Sequence, residues 1–206
     1  WDGIAMAYHK GVIKNVGVSN YSPKLLQRAI NHLADREVPV ASNQINYSLL
    51  YRKQSQPVVD FCRERGITVL GYFPLANGLL TGKYSAENLP KGRKGFFMKK
   101  YIIGGVTQGG VEYPKGGVTD LVATMQGIAN AREKTVAQIA LNYVITKGVV
   151  PIPGCRDAKM ATDNCGALGW SLTSGEINAL ERAADSIGFE YSSGGFSLED
   201  DEPTVG

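Results

Sequence analysis

Four short groups of polar, aromatic and glycine residues each follow a run of β-branched and apolar residues. Amide and hydroxyl side chains can bind a carboxamide, and an aromatic ring can stack on a planar heterocycle. Glycine lets the backbone approach a phosphate closely, and arginine presents parallel donors to a phosphate monoester. The four groups are Ser19-Asn20, Gln44 with Asn46-Tyr47, residues 72–83, and Gly154-Cys155-Arg156.

The segments that position these groups alternate between strand and helix patterns. Ser22-Pro23 is typical of a helix start, and Thr173 with Glu176 has the spacing of a capping box. Gly11 and Gly66 end helical patterns, because glycine takes the left-handed conformation at little cost. We predict strands over 12–18, 38–45, 67–72 and 149–152, and helices over 1–10, from 22, over 54–65, 119–131, 136–146 and 157–165, and from 173.

This alternation predicts an α/β protein with parallel strands and right-handed crossovers. An open doubly wound sheet would normally carry G-x-G-x-x-G after its first strand. None of the 25 glycines has another glycine two positions later, so that fingerprint is absent. A complete TIM (β/α)8 barrel needs eight units and about 250 residues. The four βα units therefore predict half of a TIM barrel.

The composition excludes several classes of protein. The chain has 206 residues, of which 43% are apolar and 20% charged, and its net charge of +3 is too small for a nucleic-acid-binding surface. Cys62, Cys155 and Cys165 form no metal-ligand spacing, and an odd number of cysteines indicates a reducing compartment. No apolar run approaches the roughly 20 residues that span a bilayer. We expect no nucleic acid, membrane or metal partner and, since the chain starts at Trp1, a trimmed or partial sequence.

Residues 85–117 show no clear periodicity. Five basic residues flank Phe96-Phe97, and the triplet Gly-Gly-Val occurs at 104–106, 109–111 and 116–118. A connection this long is typical of a lid or a mobile loop, with a nucleic-acid contact as a minor alternative. We predict one partial barrel domain over 1–191 that contains this mobile loop, followed by a flexible acidic tail over 192–206.

The motifs resemble consecutive signatures of the aldo-keto reductase family. Each motif alone is weakly specific, but their order and spacing agree over nearly the whole chain, apart from residues 85–117 and the tail. The resemblance implies the C-terminal half of a TIM barrel. The motifs are G-V-S-N-Y-S at 17–22, N-Q-I-N-Y-S at 43–48, G-Y-F-P-L-A-N-G-L-L-T-G-K-Y at 71–84 and P-I-P-G-C-R at 151–156, the last followed by D-N at 163–164 and G-A-L-G-W at 166–170.

The resemblance also implies an NADP(H) site. Ser19, Asn20 and Gln44 match positions that hold the nicotinamide carboxamide, and Tyr72 matches the aromatic residue under the nicotinamide ring. Gly154, Cys155 and Arg156 match the loop around the adenosine 2′-phosphate. Positions that face the adenine are matched by Asp163 and Asn164, and the loop over the pyrophosphate by Phe73, Pro74, Leu75, Ala76, Asn77, Gly78 and Lys83.

Three positions bear on how well this match holds. Arg156 favours NADP(H) over NAD(H), because a 2′-phosphate offers its guanidinium a partner. Met160 stands where family members often carry Gln or Arg, so we expect one adenosine contact to be lost. Phe73 often appears as Ser in relatives, a change that matters little if only its backbone contacts phosphate.

The catalytic residues implied by the resemblance are an Asp, a Tyr, a Lys and a His, all placed before the first strand seen here. That Tyr protonates the carbonyl oxygen, and the Lys lowers its pKa. Tyr47, near a strand end, and the only two histidines, His9 and His32, are weak candidates for replacing them. We therefore predict no catalytic residue in this chain.

Each site residue also has a structural interpretation. The alternatives are a helix cap for Ser19-Asn20, a partner of buried backbone for Gln44, a core position for Tyr72, a surface charge for Arg156 and a packed thiol for Cys155. Taken together, they leave unexplained why polar groups follow successive strands in this order.

Three functional hypotheses follow. The first is NADPH-dependent reduction of aldehydes or ketones by the complete barrel, the second an NADP(H)-binding regulatory subunit like those associated with channels, and the third an inactive truncated product. The G-A-L-G-W segment resembles plastid and cyanobacterial members, so cytoplasm and plastid stroma both stay open. We expect the isolated chain to be poorly stable, with self-association of half-barrels as a way to cover its strand edges.

Overall fold

The computed structural model describes residues 1–189 and 191. Its strands are β1 Val16–Ser19, β2 Val40–Asn46, β3 Thr68–Tyr72, β4 Val106–Gln108, β5 Val111–Tyr113 and β6 Val150–Ile152. Its α-helices are α1 Asp2–His9, α2 Pro23–Ala34, α3 Gln56–Glu64, α4 Gly92–Ile102, α5 Thr119–Ala131, α6 Val136–Thr146, α7 Ala158–Cys165 and α8 Ser174–Asp185, and a 3-10 helix covers Ala76–Thr81.

The central sheet contains four parallel strands in the order β1-β2-β3-β6. Ser19 is aligned with Gln44, and Tyr72 is aligned with both Asn46 and Ile152. Because the strands are parallel and closely in register, their carboxyl ends meet at one edge of the sheet. The loops that carry the predicted site residues leave from this edge.

The two faces of this sheet differ in burial. Asn43, Ile45 and Val69 are buried on the face that the helices cover. The alternating positions on the other face are on the whole more exposed: Gln44, Leu70 and Tyr72 are half-buried, and Val150 and Ile152 of β6 are 50% and 43% exposed. One layer of helices against a parallel sheet whose other face is more exposed is the arrangement expected for half of a barrel.

The predicted helix starts are confirmed. The Ser22 hydroxyl accepts a hydrogen bond from the backbone N–H of Leu25 at 3.2 Å, at the start of α2. Thr173 and Glu176 form the predicted capping box of α8, and Thr135 forms a second one with Gln138 at α6. Each box satisfies backbone donors that the first helical turn leaves without partners.

The first strand is shorter than predicted. It begins at Val16, because the backbone N–H groups of Val12 and Ile13 both point back to the Ala7 carbonyl oxygen, at 3.0 and 3.4 Å. These bonds belong to the end of α1, and Val12 is 73% exposed. The β-branched run after Gly11 is therefore mostly a helix-ending turn.

Residues 85–117, which we predicted to form a mobile loop, contain regular secondary structure that we did not predict from the sequence. They contain α4 and a hairpin of β4 and β5, joined by Gly109-Gly110, which have φ of 60° and 76°. Two positive-φ residues are what a two-residue hairpin turn requires. The helix was missed because its buried stripe includes Gly95 beside Met98 and Ile102, while Phe96 and Phe97 are 80% and 57% exposed. The predicted tail over 192–206 lies outside the described residues.

Three further expectations concern partners and thiols. Within residues 1–189 and 191, no group of three His, Cys, Asp or Glu side chains is placed to hold a metal ion. No helix in that part of the chain is long and apolar enough to cross a membrane. The three cysteines are free thiols, of which Cys62 is buried and Cys155 and Cys165 are exposed. The interpretation of Cys155 as a packed thiol is therefore wrong.

Candidate functional site

A cleft of about 540 Å³ lies at the carboxyl ends of β3 and β6. The structure brings together nine of the predicted residues in its wall: Tyr72, Phe73, Pro74, Leu75, Asn77, Gly78, Lys83, Gly154 and Arg156. Sequence reasoning also noted Met160. Among the other lining residues, Thr81, Tyr84, Ile152 and Pro153 lie within the quoted motifs but were given no role, and Lys94 lies outside them.

Four predicted residues form what we call the amide end of the site: Ser19, Asn20, Gln44 and Tyr72. The Tyr72 hydroxyl donates a hydrogen bond of 2.8 Å to the Asn20 side-chain oxygen. The backbone N–H of Asn20 and the Ser19 hydroxyl both donate to the Gln44 carbonyl oxygen, at 2.8 and 3.0 Å. These bonds join the ends of β1, β2 and β3, so the amide end is held in place by its own contacts.

Asn20 and Tyr72 are suited to these positions in different ways. Asn20 has φ of 59°, a left-handed conformation that asparagine tolerates better than most residues. Burial raises the pKa of the Tyr72 hydroxyl, with a further contribution from nearby Tyr51. Tyr72 therefore stays neutral near pH 7 and keeps the proton that it donates to Asn20.

The loop after β3 forms one rim of the cleft and is unusually bent. Phe73, Ala76, Asn77 and Gly78 have φ of 53°, 46°, 55° and 100°. A Cβ added at Gly78 would lie 3.1 Å from the Tyr84 ring, so glycine keeps room between the loop and this ring. Ala76, which was predicted to contact the cofactor, is fully buried and does not line the cleft.

Three cations, Lys83, Lys94 and Arg156, also line the cleft, and we call them the basic end of the site. All three residues are exposed, and none forms an ion pair with a carboxylate within residues 1–189 and 191. The Lys83 and Lys94 ammonium groups lie 5.6 and 5.3 Å from the centre of the Tyr84 ring. The basic end therefore offers three positive charges to an anion that enters the cleft.

Lys94 is the site residue that the motifs missed. It lies on α4, inside the segment that was predicted to be a mobile loop, and its ammonium group lies 3.5 Å from the Tyr84 hydroxyl. The only signal in the sequence was the basic cluster around Phe96-Phe97, which does not say which lysine faces the cleft.

Cys155, Asp163 and Asn164, which were also predicted to bind the cofactor, do not line the cleft. Asp163 forms an ion pair of 2.7 Å with Lys159 on the exposed side of α7. Asn164 lines a neighbouring apolar groove of about 490 Å³ beside β6, and its side-chain amide lies 3.5 Å from the Gly154 carbonyl oxygen. The exposed Cys155 thiol lies 3.4 Å from the Asp157 carbonyl oxygen, and the Asp157 side chain caps α7.

The weak catalytic candidates lie away from the cleft. Tyr47 is fully buried, and its hydroxyl lies 3.3 Å from the Gln56 side-chain oxygen. Burial raises the pKa of Tyr47 far above its usual value, and the negative charge of Glu181 raises it further. Tyr47 is therefore a poor proton donor. His9 and His32 are exposed on their helices, as expected. The cap interpretation of Ser19-Asn20 is wrong, because Ser22 caps α2.

Known proteins match this chain in sequence and fold. The sequence profile of the Aldo/keto reductase family matches residues 1–185. A chloroplastic pyridoxal reductase of Arabidopsis thaliana is 40% identical over 185 residues, which cover 89% of this chain and 47% of that protein. The NADP(+) aldo-keto reductase yakc of Schizosaccharomyces pombe is 30% identical over 196 residues, covering 89% of this chain and 53% of that protein.

Solved structures share the fold. The glycerol dehydrogenase of Gluconobacter oxydans has a TM-score of 0.71 at 24% identity, over 89% of this chain and 53% of its own. An aldo-keto reductase of Bombyx mori in complex with NADP has a TM-score of 0.62 at 23% identity, over 89% and 48%. The predicted TIM-barrel class is thereby confirmed, and the chain spans about half the length of the curated relatives it matches. The chain belongs to the aldo-keto reductase family.

Proposed function

We propose that this chain binds NADP(H) and contributes the cofactor site of an oxidoreductase that reduces aldehydes or ketones. The observation that supports this most strongly is that Tyr72, which is hydrogen-bonded to Asn20, lines the same cleft as the three cations Lys83, Lys94 and Arg156. A dinucleotide phosphate combines a carboxamide-bearing ring with anionic groups, so it can use both the aromatic ring and the cations of this cleft.

The residues present fit such a cofactor. Asn20 and Gln44 can exchange hydrogen bonds with a carboxamide, and the Tyr72 ring is half-buried and faces the cleft, where a planar ring can stack on it. NADPH, when bound, supplies a hydride. The chain's own contribution is to bind, orient and partly shield the dinucleotide.

The catalytic residues are proposed to lie in a segment outside these 206 residues. Within the described part, the buried Tyr47 and the exposed histidines are badly placed for proton transfer at the cleft. For the substrate, two relatives are named pyridoxal reductases, from Arabidopsis thaliana and Schizosaccharomyces pombe, so a pyridoxal-type aldehyde is the first substrate to test. The compartment is proposed to be the plastid stroma or the cytoplasm.

The decisive experiment compares the longest polypeptide that the gene encodes with the 206-residue chain. NADPH and NADH would be titrated against tryptophan and tyrosine fluorescence, and pyridoxal reduction would be followed by NADPH absorbance. We expect both forms to bind NADPH more tightly than NADH and only the longer one to reduce the aldehyde. Absence of NADPH binding by the longer form would contradict the proposal, and binding without reduction of any aldehyde or ketone would favour the regulatory-subunit hypothesis. Reduction by the 206-residue chain would refute the proposed location of the catalytic residues.

For the 206-residue chain alone, we propose self-association through the edges of the sheet. β1 pairs only with β2, and β6 only with β3, within the described residues. In a two-fold arrangement, β6 of each copy would pair with β1 of the other and complete eight parallel strands. Sizing should show a dimer or larger species, and a compact monomer that unfolds cooperatively would contradict this.

A further inference from the structure

A buried tyrosine beyond the last helix contacts the loop that borders the cleft. Tyr191 is only 6% exposed. Its hydroxyl oxygen accepts a hydrogen bond of 2.7 Å from the side-chain amide of Asn77, which lies 114 residues earlier in the chain. Tyr191 belongs to none of the motifs that predicted the cofactor site. It nevertheless touches a residue that lines the cleft.

The loop around Asn77 needs support from outside. Asn77 has φ of 55° and ψ of 20°, and the neighbouring Ala76 also has a positive φ of 46°. Asparagine tolerates this conformation, but alanine persists in it only where surrounding contacts hold the chain there. A hydrogen bond from the Asn77 side chain to a buried partner is such a contact.

Tyr191 is itself fixed by contacts away from the cleft. Its backbone N–H donates to the Leu50 carbonyl oxygen at 2.9 Å, in the connection after β2. Its ring centre lies 4.9 Å from that of Tyr101 on α4, at an angle of 73°. Tyr101 in turn packs edge-on against Tyr113 of the hairpin, with ring centres 5.3 Å apart. Tyr191 therefore connects the 85–117 segment to the rim of the cleft.

We propose that Tyr191 is a positioning residue for dinucleotide binding, whose hydroxyl holds the Asn77 turn in the shape in which residues 73–78 receive a pyrophosphate. The inference rests on the proposed function, because it concerns the same cleft. Tyr191 acts through Asn77 and does not itself touch the dinucleotide. A pyrophosphate is common to NADPH and NADH, so the effect applies to both, whereas Arg156 concerns the 2′-phosphate alone.

The test uses Tyr191→Phe in the longest polypeptide that the gene encodes, because this change removes the hydroxyl and keeps the ring packing. Loss of one hydrogen bond that orders a binding loop should weaken NADPH and NADH affinity equally, by about two- to tenfold. The KM for NADPH should rise by the same factor, while kcat and the melting temperature stay close to those of the parent.

A matched control is Tyr143→Phe. Tyr143 is also fully buried, and its hydroxyl donates to a Glu181 carboxylate oxygen at 2.7 Å, away from the cleft. This variant should lower the melting temperature without changing NADPH affinity. It separates loss of a buried tyrosine hydrogen bond in general from loss of the bond to the cleft.

A double-mutant cycle tests the route through Asn77. Asn77→Gly removes the amide and still permits a positive φ, so Tyr191→Phe added to it should have no further effect on NADPH affinity. Additive effects, or a Tyr191→Phe variant that melts lower but binds both dinucleotides like the parent, would overturn the proposal. A parent protein that binds neither dinucleotide would instead refute the proposed function.

Discussion

The amide end and the basic end of the cleft differ in where their polar groups find partners. Asn20, Tyr72 and the Gln44 backbone are joined to one another by hydrogen bonds of 2.8 Å. Lys83, Lys94 and Arg156 have no carboxylate partner in the described part of the chain. The amide end is therefore part of the folded structure, whereas the basic end is suited to an anion that comes from outside.

Some cations elsewhere in the protein do have carboxylate partners. Arg132 forms two bonds of 2.6 Å with the Glu176 carboxylate, and Lys147 forms an ion pair of 2.6 Å with Glu181. Changes at the amide end should therefore lower stability even without a ligand. Changes at the basic end should lower ligand affinity and leave the unfolding of the free protein unchanged.

The largest effect is expected for Arg156→Gln. Loss of hydrogen bonds to a charged phosphate should weaken NADPH binding by about ten- to hundredfold and leave NADH binding unchanged. Fluorescence titration of both dinucleotides measures this. Lys159→Gln is the matched control, because this cation on α7 already has Asp163 as its partner at 2.7 Å and should matter less. Equal losses for NADPH and NADH would show that Arg156 does not bind the 2′-phosphate.

Asn20→Ala should show that the amide end belongs to the fold. It removes the bond to Tyr72 and places alanine at φ of 59°, so we expect the free energy of unfolding to fall by about 2 kcal/mol. Asn20→Gly removes the same bond but permits this φ, and should cost about half as much. Urea unfolding without cofactor measures both. Unchanged stability in both variants would remove the distinction between the two ends.

Glu176→Gln tests a cation whose partner lies within the protein. The hydrogen bond from Arg132 holds the pKa of Glu176 at about 2, with Thr173 contributing, and the glutamine preserves the capping-box pattern. Because the folded-state pKa is lowered, the stabilisation is fully present above about pH 4.5 and is lost as pH falls through about 2. Since the pair is partly solvated, we expect the free energy of unfolding of the variant to be about 1 kcal/mol lower than that of the parent at pH 7. Urea unfolding across this pH range should show the deficit vanish, and a pH-independent deficit would contradict the assignment.

The smallest effect is expected for Lys94→Met. A solvent-exposed cation near an anion contributes little, so NADPH and NADH affinity should fall about two- to fourfold at low salt. The difference from the parent should shrink as ionic strength rises. Lys99→Met, on the same helix but outside the cleft wall, is the control. An equal response to both changes would mean that only general positive charge matters.

Much of the site could be predicted from the sequence because its residues follow directly after strands. Tyr72, Lys83 and Arg156 were found in this way, and the structure places all three in one cleft. Lys94 and Tyr191 could not be found by the same reasoning. Lys94 lies on a helix whose buried stripe includes a glycine, and Tyr191 reaches the cleft rim only through a contact across 114 residues.

The sequence by itself determined the alternation of strands and helices, the capping residues Ser22 and Thr173, and the order of the strand-end motifs. These features depend on local backbone preferences and on the spacing of apolar residues, which repeats every two residues in a strand and every 3.6 in a helix. Both can be recognised from residues that are close together in the sequence. Only the tertiary structure decided that Ala76 turns inward, that α4 brings Lys94 to the cleft and that Tyr191 holds Asn77. These depend on strand register and packing between distant segments, which no local pattern encodes.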